Sequence, residues 1–266
     1  MRGFIVILLY LAAVAAALHA ARRGGGLPAW REPALFIAGS AWIAHALWLA
    51  AVIQPIGLAA MGLADSASLL GLVIGAGGLL ALVSPRYRVV AAIVLGLAAL
   101  LAAGTGSIPD QREITAPGWP LATHVVLAMG AAGMFAIALV LVVLLAAQNS
   151  QLRSKRPANW LGSLPPVESL EHALFSVIGT GMAALTMAIL AGLLFVTDLF
   201  QQHLAHKAIL ALTAWVIFAV LLIGRWRFGW RGRKAAAYTI AGFVVLTLAY
   251  FGSKFVLEIL LGRHWG

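Results

Sequence analysis

The chain is a succession of long apolar runs separated by short polar joints. Apolar residues fill the stretches at about 3–20, 34–53, 66–84, 88–104, 119–147, 171–197, 207–224 and 236–260, with few charges inside any of them. A run of about 20 apolar residues carries a helix across the hydrocarbon core of a bilayer. The pattern therefore predicts eight transmembrane helices. The fourth run is short, and the fifth and sixth are long enough to tilt or to project beyond the bilayer. The expected fold class is all-α: a polytopic integral membrane helix bundle forming a single transmembrane domain over 1–266.

Composition agrees with that pattern. The chain is 63% hydrophobic and 10% charged, with a mean hydropathy of +1.00, whereas a soluble domain is about a quarter charged. The runs leave no room for a soluble domain. There is no cysteine, which excludes disulfides, thiolate metal sites, iron–sulfur clusters and covalent thioether attachment of haem to this chain.

The net charge of +10 could suggest a nucleic acid partner, but the placement of the charges gives another reading. Arg22, Arg23 and Arg31 follow the first run, Arg86 and Arg88 the third, Arg153, Lys155 and Arg156 the fifth, and Arg225, Arg227, Arg231, Arg233 and Lys234 the seventh; these are 13 of the 18 basic residues. The alternate joints are neutral or acidic, with Asp65, then Asp110, Arg112 and Glu113, then Asp198. The positive-inside rule puts the basic side in the cytoplasm and both termini outside. The charge is thus a topology signal, and the bilayer rather than nucleic acid is the expected partner. The first run resembles a signal peptide in its weakly basic start and alanine-rich stretch. It reads as an uncleaved helix, because its removal would put Arg22 and Arg23 outside. Segment 153–171, with Pro157, Trp160, Pro165 and Pro166, reads as a cytoplasmic loop on the interface with Trp160 as anchor. Gly71 and Gly75, and Gly179 and Gly181, suit close helix packing.

This topology sorts the seven histidines. His124, His203, His206 and His264 share the outer face, His19 and His172 sit at cytoplasmic helix ends, and His45 lies near the midplane of the second run. His19 and His172 read as interfacial polar residues. An ionisable group deep in a membrane helix marks a functional site by default, although a histidine bonded to a neighbouring helix is the plain alternative for His45. Trp42 and Trp48 lie one turn to either side of it. Each outer histidine, taken singly, reads as solvated. Together with Trp119, Trp265, Lys254 and Arg263 they offer a ligand cluster: haem needs one or two axial histidines, flat apolar walls and cations for its propionates. Zinc would need three or four close donors, for which His203-x-x-His206 is a weak signal. No nucleophile–base pair, phosphate loop or paired carboxylate points to an enzyme.

Three segments resemble the cytochrome c assembly proteins, the CcsA/CcmC-like haem-handling membrane proteins. They are P-G-W-P-L-A-T-H-V-V-L-A-M-G at 117–130, L-P-P-V-E-S-L-E-H-A-L-F-S-V-I-G-T-G-M at 164–182, and G-W-R-G-R-K-A-A-A-Y-T-I-A-G-F at 229–243 followed by A-Y-F-G at 249–252. The glycine–arginine turn in the third is the most specific element. The resemblance covers 117–266 well and 1–116, the N-terminal four helices, by topology only. It implies a bacterial inner-membrane protein that holds haem b at the outer leaflet, with His124 and His264 as axial ligands to the iron. Trp119, Asp198, His203 and His206 would edge the site, Lys254 or Arg263 would meet the propionates, and His45 would be a transient ligand. Cytochrome c assembly proteins or other membrane proteins are the implied partners. The chain departs from the family at 193–207, where L-L-F-V-T-D-L-F-Q-Q-H-L-A-H-K keeps an aspartate but lacks the family's tryptophans. That departure resembles the divergent YpjD and HemX-like branch. It also supports a second hypothesis, a membrane regulatory or accessory subunit that binds a protein partner without haem. A transporter with a pathway through His45 ranks third, because no inverted repeat is evident and intramembrane charges are few.

Overall fold

A computed structural model of the chain describes residues 2–23, 31–56, 61–103, 119–154, 164–195 and 202–252. They form eight α-helices: α1 Arg2–Arg23, α2 Pro33–Ile56, α3 Leu63–Leu82, α4 Arg88–Ala102, α5 Trp119–Ser154, α6 Val167–Phe195, α7 Gln202–Phe228 and α8 Arg233–Thr247. A 3-10 turn, Pro85–Tyr87, leads into α4, and a π-helical turn, Leu248–Gly252, continues α8. With these turns, all eight are long and apolar enough to cross a membrane, one for each run read from the sequence. The chain is an all-α polytopic bundle. α5 has 36 residues; at 1.5 Å per residue it is about 54 Å long, against a hydrocarbon core of about 30 Å, so its ends stand clear of the apolar slab. One expectation is trimmed: segment 153–171 loses both margins to helix, since α5 runs through Ser154 and α6 begins at Val167. Trp160 lies outside the described residues.

Lipid tails are as apolar as leucine, so association inside a bilayer depends on close packing and hydrogen bonds. Small residues provide the close packing. α1 packs on α2, and the pair bury Ala13, Ala17 and Ala20 on one helix and Ala34, Ala38 and Ala41 on the other. A Cβ placed on Gly71 of α3 would stand 2.9 Å from Leu101 Cβ and 3.1 Å from the Ala98 carbonyl oxygen of α4. One on Gly75 would stand 2.7 Å from Tyr10 Oη of α1. The expected packing role of Gly71 and Gly75 is met, and Gly181 likewise lies against Met134 and Phe135, but Gly179 faces open space. Helices α1 to α4 form one group and α5 to α8 another, joined chiefly where α3 packs on α5. In the second group Phe135 of α5 stacks on Phe218 of α7 with ring centroids 3.7 Å apart.

Contacts between helix ends fix an alternating up-and-down arrangement. At one end Arg88, at the start of α4, donates to the Ala20 carbonyl near the end of α1 (3.1 Å) and pairs with Glu32 at the start of α2. At the same end Tyr87 donates to the Ser169 carbonyl of α6 (3.1 Å), and Arg231 of the α7–α8 turn meets Glu171 of α6 (3.2 Å). At the opposite end Tyr250, in the turn after α8, donates to Ser66 Oγ near the start of α3 (3.0 Å). The first end gathers the arginine-rich joints, as the charge pattern requires. The α7–α8 turn there depends on glycine: Gly229 and Gly232 have φ of +64° and +59°, a region that costs other residues energy. The Gly229 N–H returns to the Arg225 carbonyl at 3.1 Å and closes α7.

Arg88 adds to the charge reading, which counted it only by side: with Glu32 it forms a buried ion pair that ties α1, α2 and α4 together. Removing one member of such a pair strands the other. Glu32→Gln or Arg88→Met alone is expected to cost about 3–5 kcal/mol, measured as a lower thermal midpoint of the detergent-solubilised protein. The apolar double variant Glu32→Leu with Arg88→Met is expected to recover most of the loss. Single variants as stable as the wild type would show that the pair contributes nothing.

Candidate functional site

His45 and His124 have opposite surroundings. His45 of α2 is fully buried among α1, α2 and α3. Its Nδ1 is 3.2 Å from Tyr10 Oη and its Nε2 2.8 Å from Ser68 Oγ. Tyr10 also stands edge-on to the imidazole, with centroids 5.7 Å apart. Both ring nitrogens are therefore engaged, so this histidine links three helices. The flanking tryptophans do not form a matched pair of walls. Trp42 donates to the Leu72 carbonyl at 2.8 Å, and Trp48 is tilted 34° to the His45 ring at 6.4 Å. Tyr10 and Ser68 were not singled out from the sequence, although a hydroxyl inside an apolar run is itself a signal, because such a group needs a partner.

His124 lies near the start of α5 and is half-buried. Its Nδ1 is 2.7 Å from the Ala188 carbonyl oxygen of α6. A carbonyl only accepts, so Nδ1 carries the proton and the neutral ring presents the Nε2 lone pair. Nε2 has no hydrogen bond among the described residues. Gly192, one turn on in α6, makes room for the ring: a Cβ there would stand 3.2 Å from both Cε1 and Nδ1. A histidine whose Nδ1–H is held by a backbone carbonyl, with Nε2 open, is the usual form of a metal ligand. Ala188 and Gly192 are invisible as site residues in sequence, since one contributes only its backbone and the other only the lack of a side chain.

The other candidates are placed less fully. His206 is exposed in the first turns of α7, and His203 lies in the same helix, its side chain outside the described set. Trp119 is the first residue of α5, likewise without a described side chain, and Asp198, Lys254 and His264 lie outside the described residues. His19 and His172 are exposed. Because helices alternate in direction, the starts of α5 and α7 and the end of α6 share one end of the bundle, which brings His124, His203 and His206 to that end. Among the described residues no three histidine, cysteine, aspartate or glutamate side chains converge as a metal cage would need. A haem iron does not need such a cage: the porphyrin supplies the in-plane donors and the protein supplies axial ones. The donor chemistry of His124 fits that need.

Comparison with known proteins identifies the family. A family model described as cytochrome C assembly protein matches residues 41–261. Inner membrane protein YpjD of Escherichia coli (strain K12) is 31% identical over 244 residues, 90% of each chain. Cytochrome c biogenesis protein CcsA of Gloeothece citriformis is 32% identical over 119 residues, 44% of this chain and 36% of that one. No solved structure matches the chain. The family match takes in His45 and His124 and reaches into the first half, further back than the segments at 117–266 that carry the resemblance.

The closed surroundings of His45 lead to a stability effect. Ser68→Ala leaves a buried ring nitrogen without its partner and is expected to cost about 0.5–2 kcal/mol, read from thermal unfolding in detergent. An unchanged midpoint would mean that the His45–Ser68 bond does not hold α2 to α3.

Proposed function

The chain belongs to the cytochrome c assembly protein family, and we propose that it binds haem b at the outer leaflet of the bacterial inner membrane, with His124 and His264 as its two axial ligands. At the family level the protein's work is haem handling in cytochrome c assembly; it is an assembly factor and not an enzyme. The observation that carries the finer reading is the bond from His124 Nδ1–H to the Ala188 carbonyl at 2.7 Å. That bond fixes the tautomer, raises the basicity of Nε2 and aims the ring from a rigid helix. Gly192 keeps the ring's neighbourhood clear. When bound, haem would supply an iron that accepts the lone pairs of the histidines that hold it.

The other residues take supporting parts. Trp119, Asp198, His203 and His206 edge the site, and Lys254 or Arg263 meets the propionates. His45 acts as a transient ligand on a path from the cytoplasmic side, which requires it to exchange its bond to Ser68 or Tyr10. The arginine-rich end faces the cytoplasm and both termini lie outside, as the positive-inside rule favours. Residues 1–116 form the N-terminal four helices, and 117–266 form the haem-holding part. Cytochrome c assembly proteins or other membrane proteins receive or deliver the haem.

Purified from haem-replete cells, the protein is expected to show a haem absorption band that His124→Ala combined with His264→Ala abolishes. Retention of the band in that double variant overturns the assignment. Gly192→Val, which presses on the His124 ring, is expected to weaken or shift the band without removing it. A colourless wild-type protein that co-purifies with a protein partner would instead establish an accessory subunit without haem.

A further inference from the structure

At the arginine-rich end, the last turns of α5, the first turns of α6 and the α7–α8 turn enclose an open cavity of about 660 Å³. Its inner wall is apolar, formed by Val142, Leu145, Leu174 and Phe175, and its rim carries Arg231 and Arg233. Glu171 also lines it, but meets Arg231 through Nε at 3.2 Å, and the Arg231 side chain remains 61% exposed. The two arginines and one glutamate leave the rim with a net positive charge. Arg225 adds a guanidinium 4.6 Å from the centroid of the Phe175 ring. Trp226 and Phe228, in the last turn of α7, are 87% and 70% exposed. Large aromatic rings bared next to arginines mark the depth at which headgroups begin.

We infer that this cavity holds an anionic phospholipid, its phosphate against Arg231 and Arg233 and the start of an acyl chain along Leu145, Leu174 and Phe175. Basic pockets between transmembrane helices suit such headgroups, and the apolar wall suits the chain that hangs from them. Haem fits the cavity poorly, because no histidine lines it and the iron would gain no imidazole. A lipid seated there touches α5, α6 and the α7–α8 turn at once, and so clamps the end of the bundle opposite His124. The inference rests on membrane insertion and not on haem binding, so either can fail alone.

The test uses the full chain in phosphatidylcholine nanodiscs with or without phosphatidylglycerol, and native mass spectrometry of lipid kept through detergent exchange. The wild type is expected to retain phosphatidylglycerol and to unfold at a higher temperature with it. Arg231→Gln with Arg233→Gln is expected to retain about 30-fold less. Arg233→Gln alone, which breaks no ion pair among the described residues, is expected to show a smaller loss. Ala146→Trp, which fills the cavity but keeps both charges, is expected to lose the lipid too. Arg22→Gln with Arg23→Gln, exposed at the same end of the bundle, is expected to retain it. Equal retention in the cavity variants, or equal loss in the Arg22 and Arg23 control, would overturn the proposal. So would inorganic phosphate stabilising the protein as well as phosphatidylglycerol does.

Discussion

A polar group inside hydrocarbon has no water to turn to, and each one must find its partner within the protein. That constraint organises this bundle more than any other. It buries Arg88 where Glu32 and the Ala20 carbonyl meet its two terminal nitrogens, while Arg88 Nε and Gln148 Oε1 are buried without a hydrogen bond among the described residues. It fastens Trp42 to a carbonyl of the next helix and Trp215 to Thr186. It joins α1, α2 and α3 through His45, whose two nitrogens are both engaged. Against this background His124 is distinctive. One nitrogen is held by the Ala188 carbonyl and the other is left with its lone pair and no hydrogen bond among the described residues. A half-buried imidazole that presents a lone pair at a helix end is open to a ligand, and that is the physical reason to read it as a binding group.

The same constraint separates the two ends of the molecule. Alternating helices carry His124, His203 and His206 to one end, and the arginine clusters, with His19 and His172, to the other. Small residues let the helices approach closely enough for the polar contacts to form, as at Gly75 beneath Tyr10 and Gly192 beneath His124. The end with His124 offers a neutral lone pair. The end with Arg231 and Arg233 offers fixed positive charge over an apolar cavity. A metal-centred ligand suits the first and an anionic amphiphile suits the second. The two ends are connected through α5 and α6, which carry residues of both.

The eight spans, their order and the sorting of charge were legible in the sequence, because run length and basic-residue placement are direct consequences of bilayer thickness and topology. The turn at Gly229–Lys234 was legible too, since two glycines in the left-handed region leave a compositional mark. What stayed hidden was contributed by backbone and by relations between distant helices. The Ala188 carbonyl has no signature at all. Glu32 and Arg88 are 56 positions apart, and Arg88 counted only as one of the basic residues of its side, because nothing in the sequence marks its pairing with Glu32. His45 was read both as a transient ligand and as a histidine bonded to its neighbours. Tyr10 and Ser68 supply those bonds, and only the packing of three helices brings them together.

The central claim is that His124 Nε2 is an axial ligand to a haem iron. Electron paramagnetic resonance of the ferric, haem-loaded wild-type protein tests it most directly when the histidines carry nitrogen-15. The account predicts a low-spin ferric signal with hyperfine coupling to two imidazole nitrogens, one of which disappears when His124 is replaced. A high-spin signal in the wild type, or a low-spin signal that keeps both couplings without His124, would contradict it.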